Sequence, residues 1–260
     1  LSSFSSLVHN ENIKIYRRIR TWIMLFLLVV LSILMPVLTY VTSEPQYRPG
    51  MWNSFQMTLS AMFFLNTIFT VVIASDAVAG EFSWGTIKML LIRPWSRSKI
   101  LLSKYVAMVL FSILTTALLA VCAFGASRIL FPAEGASTLV GSWSQGTYSL
   151  LDIGCRYIEL FLTAAIAFMV SSVFRASGLA IGLSLFIMFA KDVFTAIFNP
   201  ERYEWAKYLL FTHMNLSSYL VSDQGPGGVT LGFSIAVLAI YYAVFLLLSW
   251  VVFSRRDVAG

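Results

Sequence analysis

The chain has 260 residues, of which 58% are hydrophobic and only 12% charged, with a mean hydropathy of +0.81. A soluble domain carries about 25% charged residues, so composition excludes a water-soluble enzyme or DNA-binding domain. The formal net charge of +6 then reads as the basic ends of a membrane protein, not as a nucleic-acid surface. Two cysteines, Cys122 and Cys155, make neither a disulfide framework nor a zinc site.

Residues 5–20 place Val8, Ile15 and Ile19 near one helical face and Lys14, Arg17 and Arg18 elsewhere. That pattern predicts an amphipathic helix lying on a leaflet, with its cations near anionic head groups. A bilayer core of about 30 Å needs about 20 apolar residues at about 1.5 Å per residue. Six segments meet that length: 21–41, 54–75, 100–124, 158–174, 176–198 and 229–253. The sequence therefore predicts an all-α membrane protein of six spans, forming one transmembrane domain over 1–260. The first apolar run is too long for a cleaved signal peptide and lacks a small-residue cleavage site. With the N-terminus inside, 12 of the 18 lysines and arginines fall at cytoplasmic ends, so both termini are expected in the cytoplasm.

The connection between the second and third spans is the informative one. A short helix fits 81–92, with Glu81 where the helix dipole favours an anion and Arg93 where it favours a cation. Pro94 stops it, and Ser96 or Ser98 caps the next span. Trp84, Ile87 and Leu91 recur on one side with Leu90 beside them, while Phe82 and Met89 lie on another. Two apolar sides predict two contacts, one with the bundle and one with a cytosolic partner. A re-entrant helix serving only its own fold is the alternative. After the fifth span, Asn199-Pro200 breaks the helix, and 201–220 is aromatic and too polar to span. It predicts a short outer helical element.

No catalytic chemistry is visible. His9 and His213 are expected on opposite sides of the bilayer, and there is no His-Glu-x-x-His, Gly-x-Ser-x-Gly or paired intramembrane aspartate. No catalytic or metal-binding residue is assigned. No Gly-x-x-x-x-Gly-Lys-Ser/Thr occurs, so ATP hydrolysis requires another subunit. Lys191 and Asp192 lie late in the fifth span, where snorkelling to the outer interface accounts for them. A substrate role, or an ion-coupled carrier, is the competing reading.

The stretch Gly80-Glu81-Phe82-Ser83-Trp84-Gly85-Thr86-Ile87-Lys88, followed by Leu90-Leu91-Ile92-Arg93-Pro94 and Ser96-Arg97, resembles the loop of ABC-2 type permeases. These are the membrane subunits of type V ABC exporters. Asn10-Glu11, Lys14 and Arg17-Arg18 resemble that family's interfacial helix, and Ser254-Arg255-Arg256-Asp257 its ending. The resemblance implies that Glu81, Phe82, Trp84, Gly85, Thr86, Ile87, Lys88, Leu90, Leu91 and Arg93 form a coupling helix. It implies two ATP-binding cassette subunits, which carry ATP and Mg, and a second permease copy, identical or a sister chain. It also implies a substrate route lined by the second and fifth spans. Those spans offer Phe63, Phe64, Asn66, Thr67 and Thr70, and Ser184, Phe186, Phe189 and Phe194. The implied setting is a bacterial plasma membrane without nucleic acid, and the implied cargo an amphipathic peptide, antibiotic or other lipophilic molecule, in a role such as antibiotic resistance. A non-transporting scaffold or sensor is the remaining alternative.

Overall fold

The computed structural model describes residues 4–87, 95–132, 139–140, 143–222 and 224–255. Helix α1 spans Phe4–Tyr16, and six longer helices follow: α2 Ile19–Thr42, α3 Met51–Ser83, α4 Arg97–Leu130, α5 Gln145–Val173, α6 Ser177–Ile197 and α8 Leu231–Arg255. All six are long and apolar enough to cross a bilayer, so the chain is an all-α, membrane-embedded protein of six spans. The single-turn helix α7, Leu210–His213, precedes α8, and the strand pairing among the described residues is one two-residue ladder, Leu139–Val140 with Trp143–Ser144. Six crossings bring both ends of the chain to one side, called here the basic end. Arg97 Nη1 there donates to the Ser254 carbonyl at 3.0 Å.

The interfacial helix is shorter than the expected 5–20. Arg18 is extended and separates α1 from α2. The carbonyls freed at the end of α1 are met by side chains from the next helix. Thr21 Oγ1 donates to Ile15 O at 2.6 Å, and Trp22 Nε1 to Tyr16 O at 2.8 Å. The buried side of α1 is Leu7 and Glu11 rather than an apolar stripe.

Helices α3 and α5 form the centre of the bundle. Small residues let them approach closely: Ala74, Ala79, Ala164, Ala167 and Ser171 are all fully buried. Ser171 Oγ lies 3.0 Å from the backbone nitrogens of both Val78 and Ala79. Toward the basic end, Val71, Val78, Ile100, Leu101, Met108, Phe168 and Phe253 make one apolar cluster. Toward the far end, Leu28, Phe55, Leu59, Phe63, Leu119 and Leu160 make another.

Two boundaries differ most from the sequence expectation. The fourth span begins at Gln145 rather than Ile158, because its charges are answered inside the protein. Asp152 accepts from Ser217 Oγ at 2.6 Å and from Arg156 Nε at 2.8 Å, Arg156 Nη2 donates to Ser60 Oγ at 2.9 Å, and Glu159 pairs with Lys191. The second span runs to Ser83 rather than ending at Ser75, because Asp76 is likewise neutralised within the fold. Glu81 therefore lies in the last turn of α3, not at the start of a separate helix. Gly85, with φ +69, takes the left-handed conformation after the α3 C-cap Trp84, and Ile87 resumes helical geometry. Lys88, Leu90, Leu91 and Arg93 lie outside the described residues. The segment 201–220 is not one helix but a series of short turns, Glu204–Tyr208, α7 and Leu216–Leu220. The third, fifth and sixth spans shift by a few residues, to Arg97–Leu130, Ser177–Ile197 and Leu231–Arg255.

Candidate functional site

At the basic end, three elements meet over one ionic cluster. Helix α1 supplies Glu11 and Lys14, the end of α3 supplies Glu81, and the second turn of α4 supplies Lys104. Lys104 Nζ lies 2.8 Å from Glu11 Oε2 and 2.7 Å from Glu81 Oε1. Lys14 Nζ lies 2.8 Å from Glu11 Oε1 and 2.7 Å from the same Glu81 oxygen. Lys104 is only 3% exposed, so its charge is sustained by these two carboxylates. Burial pulls the Lys14 pKa down, but the charges and hydrogen bonds of Glu11 and Glu81 outweigh it and hold Lys14 above the ordinary lysine value of 10.5. Thr86, in the turn after α3, hydrogen-bonds the Glu81 carboxylate.

A second cluster adjoins the first. Asp76, one turn before Gly80 on α3, is buried and receives Arg18, Arg20 and the Ser177 hydroxyl. Gly80 makes room for it: a Cβ there would stand 2.8 Å from Asp76 Oδ1. The Arg18 guanidinium also lies 5.5 Å from the centre of the Trp84 ring. Four cations (Lys14, Arg18, Arg20, Lys104) and three carboxylates (Glu11, Asp76, Glu81) thus surround a cavity of about 40 Å³, large enough for water. Ser83 Oγ donates to Arg175 O at 3.2 Å and accepts from Ser177 N at 2.9 Å, tying the end of α3 to the α5–α6 connection.

The residues expected in the loop therefore separate. Glu81 and Ile87 face inward, Ile87 within the basic-end apolar cluster. Phe82 packs against the edge of that cluster, with Arg175 5.9 Å from its ring. Trp84 is 72% exposed, so it does not share a side with Ile87 as the helical spacing predicts. The left-handed Gly85 rotates the chain between them. What the sequence reading missed is that Lys104 and Lys14 answer Glu81, that Glu11 shares those two lysines, and that Asp76 answers Arg18 and Arg20. The signal was present: they are ionisable groups at the edge of apolar runs, where an unpaired charge is costly.

Toward the far end, the residues expected along a route divide in two. Phe63, Asn66 and Thr70 turn into the bundle. Asn66 Nδ2 donates to Thr116 Oγ1 at 2.9 Å, and Thr67 and Thr70 donate to Phe63 O and Asn66 O. Ser184 is also buried, and its hydroxyl has no hydrogen-bond partner among the described residues. Phe64, Phe186 and Phe189 are open, with Phe64 and Phe189 edge to face at 5.6 Å. Phe194 stacks between Phe198 and Phe211, on the outer turns. The open face of α3 and α6 lies beside the partly exposed Glu159–Lys191 pair, whose members both stand about 21 Å from the basic ends of their helices at about 1.5 Å per residue. Lys191 thus answers a carboxylate at membrane depth instead of snorkelling. Such groups do not face hydrocarbon; they face protein or a water-filled path.

A family model described as "Protein of unknown function (DUF2705)" matches residues 23–259. The uncharacterized protein YhcI of Bacillus subtilis (strain 168) is 38% identical over 215 residues, covering 78% of this chain and 68% of YhcI. The uncharacterized membrane protein YdbK of the same organism is 29% identical over 190 residues, 73% of this chain and 76% of YdbK. The probable ABC transporter permease protein NosY of Stutzerimonas stutzeri is 29% identical over 213 residues, 74% of this chain and 76% of NosY.

Proposed function

The chain belongs to the DUF2705 family, and from that premise we propose that it is the permease subunit of an ATP-driven exporter of the bacterial plasma membrane. The observation that carries this reading is the ionic junction at the basic end. It fastens α1, α3 and α4 around the segment from Glu81 to Ile87, so a push on that segment moves three helices together. Two ATP-binding subunits, holding ATP and Mg, supply the push. A second permease copy covers the open face of α3 and α6, where charges at membrane depth need shelter from lipid. The likeness to NosY, a probable ABC transporter permease, supports the same reading.

The route for cargo runs along Phe64, Phe186 and Phe189, and the aromatic lining suits an amphipathic peptide, an antibiotic or another lipophilic molecule. The Glu159–Lys191 pair favours a second reading, an ion-coupled carrier, because it is a titratable pair within the bundle. Transport that needs a proton gradient and no ATPase would select that reading.

Co-purification tests the proposal. Leu90→Asp with Leu91→Asp places two carboxylates in the segment that the resemblance assigns to coupling. Each buried leucine is worth about 1.5–3 kcal/mol, and every 1.4 kcal/mol is about tenfold in affinity. The inserted double variant is expected to lose its ATPase partner. Retention of the partner together with ATP-driven export overturns the coupling role of this loop.

A further inference from the structure

A second cavity lies away from the ionic junction, at the far ends of α3, α4 and α5. It has a volume of about 360 Å³, in the range of small-molecule sites, and its walls are almost wholly apolar. The floor is aromatic: Trp52 lies 6.3 Å from Phe55 and 5.9 Å from Phe124, and Phe55 and Phe124 meet edge to face at 5.6 Å. Gly146, in the first turn of α5, lets that helix close on the Trp52 ring, since a Cβ there would sit 3.3 Å from its edge. The crevice opens on the surface of the bundle, because Val121 and Leu150 on its rim are 70% and 72% exposed.

The rim toward the far end carries positive charge. Arg128 is exposed one turn beyond Phe124 on α4, on the helix face that carries Val121 and Phe124 to the crevice. Arg128 has no ion-pair partner among the described residues. An apolar crevice among the spans with a guanidinium group one turn beyond it matches one chemistry, an acyl chain below a phosphate ester.

We infer that this crevice is a binding site for a phospholipid of the far-side leaflet, with one acyl chain against Trp52, Phe55 and Phe124 and the head-group phosphate at Arg128. A guanidinium at that edge favours an anionic head group. A lipid seated there adds to the contacts between the far ends of three spans. The inference is independent of the ATPase partner.

The test uses the full chain in phosphatidylethanolamine vesicles doped with phosphatidylglycerol that carries a photoactivatable group in one acyl chain. Adducts are expected on the peptides containing Trp52 and Leu150. Val121→Trp fills the crevice from an open position and is expected to lower that labelling several-fold, while Val121→Ala keeps it. Arg128→Gln is expected to reduce labelling by the glycerol lipid more than by a phosphatidylethanolamine carrying the same photoactivatable chain. Labelling spread evenly over the exposed faces of α2 and α8, or unchanged in a Val121→Trp variant whose unfolding midpoint is preserved, overturns the site.

Discussion

Lys104 shows how a single residue can hold a junction together. Its ammonium is buried in the second turn of α4 and touches carboxylates from two other helices, Glu11 and Glu81. Removing one partner of a buried pair leaves an uncompensated charge and costs about 3–5 kcal/mol, while removing both is close to neutral. Lys104→Met and Glu81→Gln are therefore each expected to lower the thermal midpoint of the detergent-solubilised protein. The double variant is expected to lose less than the sum of the two, and additive losses would show that the charges do not interact. Lys14 adds a pH test. Its pKa is raised, so its stabilisation is complete below the ordinary lysine value of 10.5 and fades as pH climbs through the higher folded value. The stability deficit of Lys14→Met should be constant from about pH 6 to about pH 9 and shrink only in stronger alkali.

At the scale of elements, the end of α3 decides how the loop is presented. Gly85 sits at φ +69, a conformation that costs other residues roughly 1–2 kcal/mol. Gly85→Ala is expected to destabilise the protein by about that amount and to loosen Thr86 from Glu81, readable as faster backbone hydrogen exchange over 84–87. Unchanged exchange would mean the turn does not hold the loop. The same element marks the limit of sequence reading. Helical periodicity placed Glu81 at a new N-terminus, whereas the structure continues α3 through it. Local signals cannot distinguish the two, because the deciding partners, Lys104 and Lys14, are distant in the chain. The start of α5 was hidden for the same reason: Asp152, Arg156 and Glu159 crowd the start of the apolar run until Ser217, Ser60 and Lys191 are seen to answer them. Lys191→Met leaves Glu159 unpaired at membrane depth, and co-substitution Glu159→Gln is expected to restore most of the lost stability. A failure of that rescue would place Lys191 outside the pair.

For the whole molecule, the six spans were legible because about 20 apolar residues in a row have few other uses. The open aromatic face of α3 and α6 was legible only in part. Phe64 and Phe189 do meet on an open face, but Phe63, Asn66 and Thr70 pack inward, and periodicity alone does not say which stripe of an all-apolar helix meets its neighbours. The orientation predicted from the lysine and arginine distribution is checked by thiol labelling: cysteines at Ser83 and Ser254 should react only from the cytoplasm. Reaction of Ser83→Cys from outside would invert the arrangement.

The central claim is that the ionic junction carries nucleotide-driven movement from the basic end to the open face of α3 and α6. In a Cys122→Ser, Cys155→Ser background, Phe189→Cys reports on that face through its rate of reaction with a membrane-impermeant thiol reagent. With the ATP-binding subunits present, ATP and Mg should change this rate several-fold. Lys104→Met should abolish the change while the subunits stay bound and hydrolyse ATP. A rate indifferent to ATP in the unaltered complex, or the same response with Lys104→Met, would contradict the account.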